Sequence, residues 1–541
     1  MLSNKLQKFY ESSPMREGVL CWYPFRQDSS VLDLSGGILN EMLKASCTHV
    51  TTKPDNDGER FDYIVAIDPD DFGSGALTKL REKLTSNGRL LLAYENPFAL
   101  RYWSNKRSSV TGMPSDPLFG KDGRVSKAEM QVRLKTAGFE GQKWYYPLTD
   151  HWFSREIYSE NYLPDEYLNQ RFRPYMSDDY TLMFDERGLY REAIRNGAFE
   201  FMCGAYLVEA RSDAGDKPCE VDYAAVTSYR EPPNRFATII RNDGKVVKKP
   251  LHPDGIKTAK IAKNNHDELA RLGLSVVPME LDGGSLVMPR LNLPTLWDYW
   301  VKKHSAGIFD AGEMFLQLDR IRNDIVRASS NGKCYWEMVP ANCFFDESSN
   351  QIIYFDQEYC WENATADIAV ARAIYSLKYS PALSSDPQSD TWLEQLKDRY
   401  ALAERWDDLT ALIRKIRADV FGDGTTLLDA ETARASGTIA ENRFYHVIKQ
   451  LSRLGFRRPA IYGYGIRGKR LEKVMEDYIV NVAGVFDKSF NNEKPLETLL
   501  SESNADVVIV SILGGEDIAV MLREMTDIPV YTVEELLHEQ R

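Results

Sequence analysis

Short apolar runs alternate with helical segments at both ends of this chain and give way to another pattern in the middle. This switch constrains the fold more than any single residue does. Strand-length apolar runs separated by helices pack as a parallel sheet, because parallel neighbours need a crossover long enough to hold a helix. Near the start, Ser30–Leu34, Phe61–Ile67 and Arg89–Tyr94 read as strands, with a helical segment at Leu77–Leu84 and an Asn87-Gly88 turn. In the middle, Phe199–Ala210, Asp222–Tyr229, Ala237–Arg241 and Lys245–Lys249 read as antiparallel strands, with Asn242-Asp243-Gly244 as a hairpin turn. A helix is expected over Gly255–Leu272. The chain then reads as mainly helical apart from Cys343–Phe345, Ile352–Phe355 and a polar loop over Ser380–Asp390. After a linker helix near Ala440–Leu454, strands return at Ala460–Tyr464, Val480–Phe486, Val507–Ile512 and Val530–Thr532.

At about 150 residues per domain, 541 residues fit three or four domains. The net charge of −13 and the lack of a long Lys/Arg run argue against nucleic-acid binding. No apolar run approaches the roughly 18 residues of a transmembrane helix. The opening residues lack the apolar core of a signal peptide, so a cytoplasmic protein is expected. The seven Cys are dispersed without a CxxC pair, and the seven His without HxH or HExxH. Reduced thiols and no structural metal site are therefore expected.

Three constellations carry chemistry. The first is Asp33-Leu34-Ser35-Gly36-Gly37, a glycine turn at a strand end. Such turns let a backbone approach an adenosine or phosphate group. Two glycines fit a plain tight turn equally well. Only residues 38 to 61 separate Gly37 from Asp62, which predicts a sheet with a shortened edge.

The second lies in the middle of the chain. Phosphoryl transfer needs a cation on the phosphates, a carboxylate at the acceptor, and an Asn and an Asp at magnesium. Lys248 ends a strand. Glu337 precedes Asn342 by five residues, and Asp356 follows the apolar run Ile352–Phe355. That order and spacing match a kinase catalytic loop and metal-binding Asp. Lys248 reads equally as a solvated edge residue. Glu268 reads as its ion-pair partner or as a solvated helix residue. No glycine-rich phosphate loop is visible.

The third is Gly463-Tyr464-Gly465-Ile466-Arg467-Gly468, a G-x-G-x-x-G after a strand, with Asp487 at the end of the next strand. Glycines there admit a phosphate to a helix N-terminus, and the Asp can take ribose hydroxyls. Nucleotide or nucleotide-sugar binding and a purely structural domain both fit.

Several blocks carry a resemblance. They include Arg16–Phe25, Gly88–Asn96, Ala137-Gly138-Phe139, Tyr145-Tyr146-Pro147, Ile157-Tyr158-Ser159 and Arg372-Ala373-Ile374. Together they resemble class I S-adenosylmethionine-dependent methyltransferases of bacterial surface-polysaccharide gene clusters, often fused to a kinase-like module. The O-antigen chain-terminating kinase–methyltransferases are looser relatives. The resemblance implies an α/β multidomain protein. Its parts would be a Rossmann-like methyltransferase domain over 1–180, a two-lobed kinase-like α+β domain over 181–435, and a small C-terminal Rossmann-like parallel-sheet domain over 436–541. It implies S-adenosylmethionine at Asp33, Gly36, Gly37, Glu95 and Asn96. It further implies ATP at Lys248, magnesium at Asn342 and Asp356, and Glu337 as base. Glu337 stands where the family carries Asp, and only two glycines remain in the first turn. The expected function is a transferase of O-antigen or capsule assembly, acting on a glycan or sugar beside partner glycosyltransferases. The alternative is a non-catalytic scaffold of degenerate domains.

Overall fold

The computed structural model describes residues 13–113, 115–168, 186–329, 332–362, 364–421, 444–487 and 496–538. The chain divides into two compact units. The first comprises Met1–Trp103, Asp116–Tyr175 and Glu186–Asp429, and the second Ser104–Ser115, Met176–Asp185 and Ala430–Arg541.

The first unit is built on β1 (Ser30–Asp33), β2 (His49–Thr51), β3 (Phe61–Ile67), β4 (Leu84–Glu95), β5 (Gly141–Leu148) and β6 (Glu156–Ser159). These are followed by β7 (Ala205–Arg211), β8 (Val221–Val226), β9 (Phe236–Arg241), β10 (Lys245–Pro250), β11 (Glu280–Asp282) and β12 (Ser285–Pro289). All twelve form one sheet, in the order β11-β12-β10-β9-β8-β6-β5-β7-β4-β3-β1-β2. Strands β2, β1, β3 and β4 are parallel. Their crossovers include the helices Gly37–Ser46 and Ser74–Glu82. Alternate residues serve opposite faces: Ile64, Leu90 and Leu92 enter one core, and Tyr63, Val65 and Leu91 the other. Both faces are covered, which is why β3 is apolar apart from Asp62. The edge strand β2 has three residues, so the edge is short, as the spacing after Gly37 predicts.

One expected grouping is corrected. Phe199–Ala210 does not join the antiparallel strands as a single strand. Phe199–Met202 is a helical turn, and β7 slots antiparallel between β4 and β5. Glycine is required at the entry to β7. A Cβ on Gly204 would lie 2.3 Å from the Thr149 carbonyl oxygen and 2.4 Å from Arg101 Nη2. Strands before and after residue 180 therefore belong to one sheet.

The antiparallel strands β8 to β12 carry the helix Gly255–Arg271. A helical half follows, with helices at Leu296–Ser305, Ala311–Ala328, Ala366–Tyr375, Ser389–Arg399 and Trp406–Phe421. Thr295 caps the first of these, its side chain accepting from Asp298 N at 3.0 Å. Leu318, Ile321, Ile325, Tyr354 and Ile374 sit in the core of this half. Two short pairs punctuate it: β13 (Lys333–Tyr335) with β16 (Cys360–Glu362), and the hairpin of β14 (Cys343–Asp346) and β15 (Gln351–Tyr354). The polar loop expected at Ser380–Asp390 is instead partly helical, at Pro381–Ser384, because Leu383 is buried.

The second unit holds four parallel strands: β17 (Pro459–Tyr462), β18 (Gly484–Phe486), β19 (Val507–Val510) and β20 (Val530–Thr532). Their order is β18-β17-β19-β20. The helices Ile466–Asp477 and Glu516–Met525 cross between strands, and residues 444–454 form the described part of the expected linker helix. The whole is a mixed α/β protein with a large mixed sheet and a small parallel one. Among the described residues, no helix is long and apolar enough to cross a membrane.

Candidate functional site

A cavity of about 910 Å³ opens in the first unit. One wall is the sheet, with Thr238, Val246, Lys248 and Met288; the other includes Phe344, Phe355 and Asp356. Lys248 comes from β10, where pairing to β9 sets it opposite Thr238. Its ammonium is buried against Asp356, with which it is in direct contact, and lies 2.6 Å from Glu358 Oε1. Residues 108 apart in sequence thus meet, and the reading of Lys248 as a solvated residue is corrected. Burial works against the Lys248 charge, but the two carboxylates outweigh it and raise its pKa. Burial also opposes charge on Asp356, yet Lys248 prevails and lowers the carboxyl. Glu358 goes the other way: burial, with Asp356 beside it, raises its pKa despite Lys248.

Glu337 and Asn342 bond each other, and neither is among the residues that line the cavity. Asn342 Nδ2 donates to Glu337 Oε2 at 2.5 Å, and Arg372 Nη1 donates to Oε1 at 2.5 Å. Arg372 stacks over Trp336, 4.3 Å from the ring centroid. The two segments interlock through backbone groups. Phe355 N donates to Asn342 O at 3.0 Å, and Gln357 Nε2 donates to Glu337 O at 3.0 Å. Glu268 does not pair with Lys248; it is in contact with Lys333 instead. The same helix offers His266, whose Nε2 accepts from Gln357 N at 3.4 Å. Burial pushes the His266 pKa down to about 4. Sequence reasoning missed Glu358 and His266, although Glu358 stands two residues from the Asp the spacing singled out.

The carboxyl edge of the parallel strands is the second place to look, since the chain leaves β1 for β2 on one side and returns to β3 on the other. Asp33 is buried there. It accepts from Ser35 N at 2.9 Å, Gly36 N at 3.3 Å and Asn40 Nδ2 at 2.9 Å. Gly36 and Gly37 have φ of 65° and 63°, and a Cβ on either would meet nothing within 4 Å. Glu95 is paired with Arg124 at 2.7 Å, and Arg101 lies 3.6 Å away. Asn96 donates to the Phe201 and Cys203 carbonyls at 2.8 and 2.7 Å and accepts from Phe98 N at 2.9 Å. Asp33, Glu95 and Asn96 therefore serve the chain's own loops and ion pairs. Those three side chains do not fit S-adenosylmethionine as its donors; the open feature of this edge is the glycine turn. No local pattern marks His151, whose Nε2 lies 2.6 Å from Asp68 Oδ2 just after β3. Burial opposes its charge, but Asp68 raises its pKa.

In the second unit, Gly463 and Gly465 lie in the turn between β17 and the helix Ile466–Asp477, and Gly468 lies in the first turn of that helix. Asp487 follows β18 and accepts from Tyr464 N at 2.7 Å, beside the turn. The three glycines differ in kind. A Cβ on Gly463 would strike Ile512 at 2.4 Å, and one on Gly468 the Gly463 oxygen at 2.2 Å. At Gly465 φ is −75° and a Cβ would meet nothing within 4 Å.

No protein-family model and no curated protein matches this chain.

Proposed function

We propose that the first unit binds a nucleoside triphosphate with magnesium in its cavity and that the chain is a kinase-like transferase. The cavity with Lys248 and Asp356 in its wall carries this reading. Its volume falls in the usual range for ligand sites, about 300–1,000 Å³. Lys248 would take the phosphates, and Asp356 with Asn342 would hold magnesium. Among the described residues no group of three or more His, Cys, Asp or Glu could hold a metal ion. The ion would therefore share its coordination with the phosphates, whose charge it would neutralise. Glu337, fixed by Asn342 and Arg372, is the carboxylate for the acceptor's proton.

The resemblance to surface-polysaccharide methyltransferase–kinase proteins supplies the acceptor class, a hydroxyl of a glycan. In the second unit, Gly465 supports a nucleotide or nucleotide-sugar site, because neither packing nor backbone conformation calls for glycine there. A second reading is a scaffold that binds nucleotide without transfer. It is favoured by the state of Glu337, both of whose carboxylate oxygens are already hydrogen-bonded.

Thermal denaturation of the full chain with ATP and magnesium tests the binding. Wild type should be stabilised in proportion to ligand concentration, and Asp356→Asn should lose the magnesium-dependent part. A wild-type midpoint unmoved at millimolar ATP and magnesium overturns the reading.

A further inference from the structure

Two carboxylates hold Lys248, and only one of them faces a ligand. Asp356 lines the cavity; Glu358, 4% exposed, does not. Glu358 Oε1 nevertheless lies 2.6 Å from Lys248 Nζ. Asp356 has φ of 60°, in the left-handed region that residues with side chains seldom adopt. The turn it makes after β15 carries Asp356 and Glu358, two residues apart, to one ammonium. A backbone held in that region depends on its surroundings to keep it there.

Those surroundings fix the segment on both sides of Glu358. Before it, Asn265 Nδ2 donates to Gln357 O at 2.9 Å, and Gln357 Nε2 donates to Phe355 O at 2.8 Å. After it, Trp336 N donates to Tyr359 O at 3.2 Å, and Tyr359 OH donates to Asn234 Oδ1 at 2.8 Å. The helix Gly255–Arg271 thus holds the segment through Asn265, but it gives Lys248 no carboxylate of its own. Its two acids are engaged elsewhere, Asp267 with Lys263 and Glu268 with Lys333. Among the described residues, Asp356 and Glu358 are the ion-pair partners of Lys248.

We propose that Glu358 is the positioning residue of Lys248, keeping the ammonium in the cavity wall when Asp356 turns to magnesium. This rests on the nucleotide reading above. Asp356 cannot give itself to a metal ion and still balance Lys248 as it does now. Removing one partner of a buried ion pair leaves the other charge uncompensated, which is strongly unfavourable. Glu358 supplies the remaining partner. An ammonium has three donors; one stays on Glu358, and the others are left for phosphate oxygens. Standing off the cavity wall, Glu358 touches no part of the nucleotide and acts through Lys248 alone.

Calorimetric titration with ATP–magnesium tests this in four full-length proteins: wild type, Glu358→Gln, Lys248→Met and the double variant. Glu358→Gln should weaken binding by about tenfold or more, as expected for a lost hydrogen bond between charged groups. In the Lys248→Met background the same change should have no effect, because residues that act through one another are not additive. A merely structural Glu358 would lower affinity in both backgrounds, and that result overturns the assignment. Wild-type affinity in a folded Glu358→Gln overturns it too. Should Glu358→Gln fail to fold, Glu358→Asp enters the same cycle, since it keeps the charge and shortens the reach. It should weaken binding only while Lys248 is present; a loss in both backgrounds or in neither overturns the assignment. Wild type that does not bind ATP–magnesium overturns the nucleotide reading itself, and the assignment with it.

Discussion

The cavity around Lys248 and the carboxyl edge of β1 to β4 belong to one sheet, and both were marked as sites by their residues. They differ in what their polar groups face. Lys248 and Asp356 pair with each other in the wall of an open cavity. Asp33, Glu95 and Asn96 are turned inward to backbone groups and arginines. A polar residue at a strand end is thus as useful to a fold as to a ligand, and partners decide which. Substitutions at the edge should register as stability, and those in the cavity as binding.

The largest effect is expected where the edge is closed by backbone. Gly204→Val places side-chain atoms against the Thr149 carbonyl and Arg101 and should cost more than about 4 kcal/mol. Denaturant unfolding reads this, and a stable, well-folded variant would show that β7 is not wedged against that edge. Asn96→Ala comes next. It strands two buried carbonyl acceptors and one amide, a loss of about 3 kcal/mol. Near-native stability would return Asn96 to the list of ligand contacts.

Two histidines sharpen the comparison through pH. His266, beside the cavity, has a folded pKa of about 4 against an ordinary 6.5. The unfolded chain binds its proton first, so stability is lost as pH falls from about 6.5 to about 4, by up to about 3 kcal/mol. His266→Gln should remove that part of the acid loss. His151, at the edge, has a raised pKa. Its contribution is complete below 6.5 and is lost as pH rises through the folded value. Identical pH profiles for wild type and His266→Gln would contradict the buried, neutral imidazole. The smallest effect is expected at Gly465 of the second unit, where a Cβ meets nothing within 4 Å. Gly465→Ala should change stability by less than about 0.5 kcal/mol, whereas Gly468→Ala should unfold the domain, since its Cβ would overlap the Gly463 oxygen. Equal losses would make both glycines packing residues.

Much of this was legible in the sequence wherever the signal was local. Phe61–Ile67 is a strand residue for residue because, Asp62 apart, its run is apolar on both faces. The glycine turn and strands of the last domain follow from spacing, and so does the nearness of Asn342 to Asp356, whose neighbour Phe355 donates its N–H to Asn342 O. What was not legible was pairing over distance. The strand at 205–211 was visible, but nothing local says that it enters between β4 and β5 rather than beside β8. His151 has its partner 83 residues away, and Glu268 found Lys333 rather than Lys248. Arg372 was visible as part of a block, but its hold on Glu337 comes from a helix that the spacing from Glu337 to Asp356 does not specify.

The most direct test places the two regions against each other in one protein. The full chain is titrated by calorimetry with ATP–magnesium and with S-adenosylmethionine, and again as Lys248→Met. Saturable ATP–magnesium binding, weakened by about tenfold or more in Lys248→Met, with no S-adenosylmethionine binding in the micromolar range, is the predicted result. Micromolar S-adenosylmethionine binding together with no response to ATP–magnesium would contradict the account.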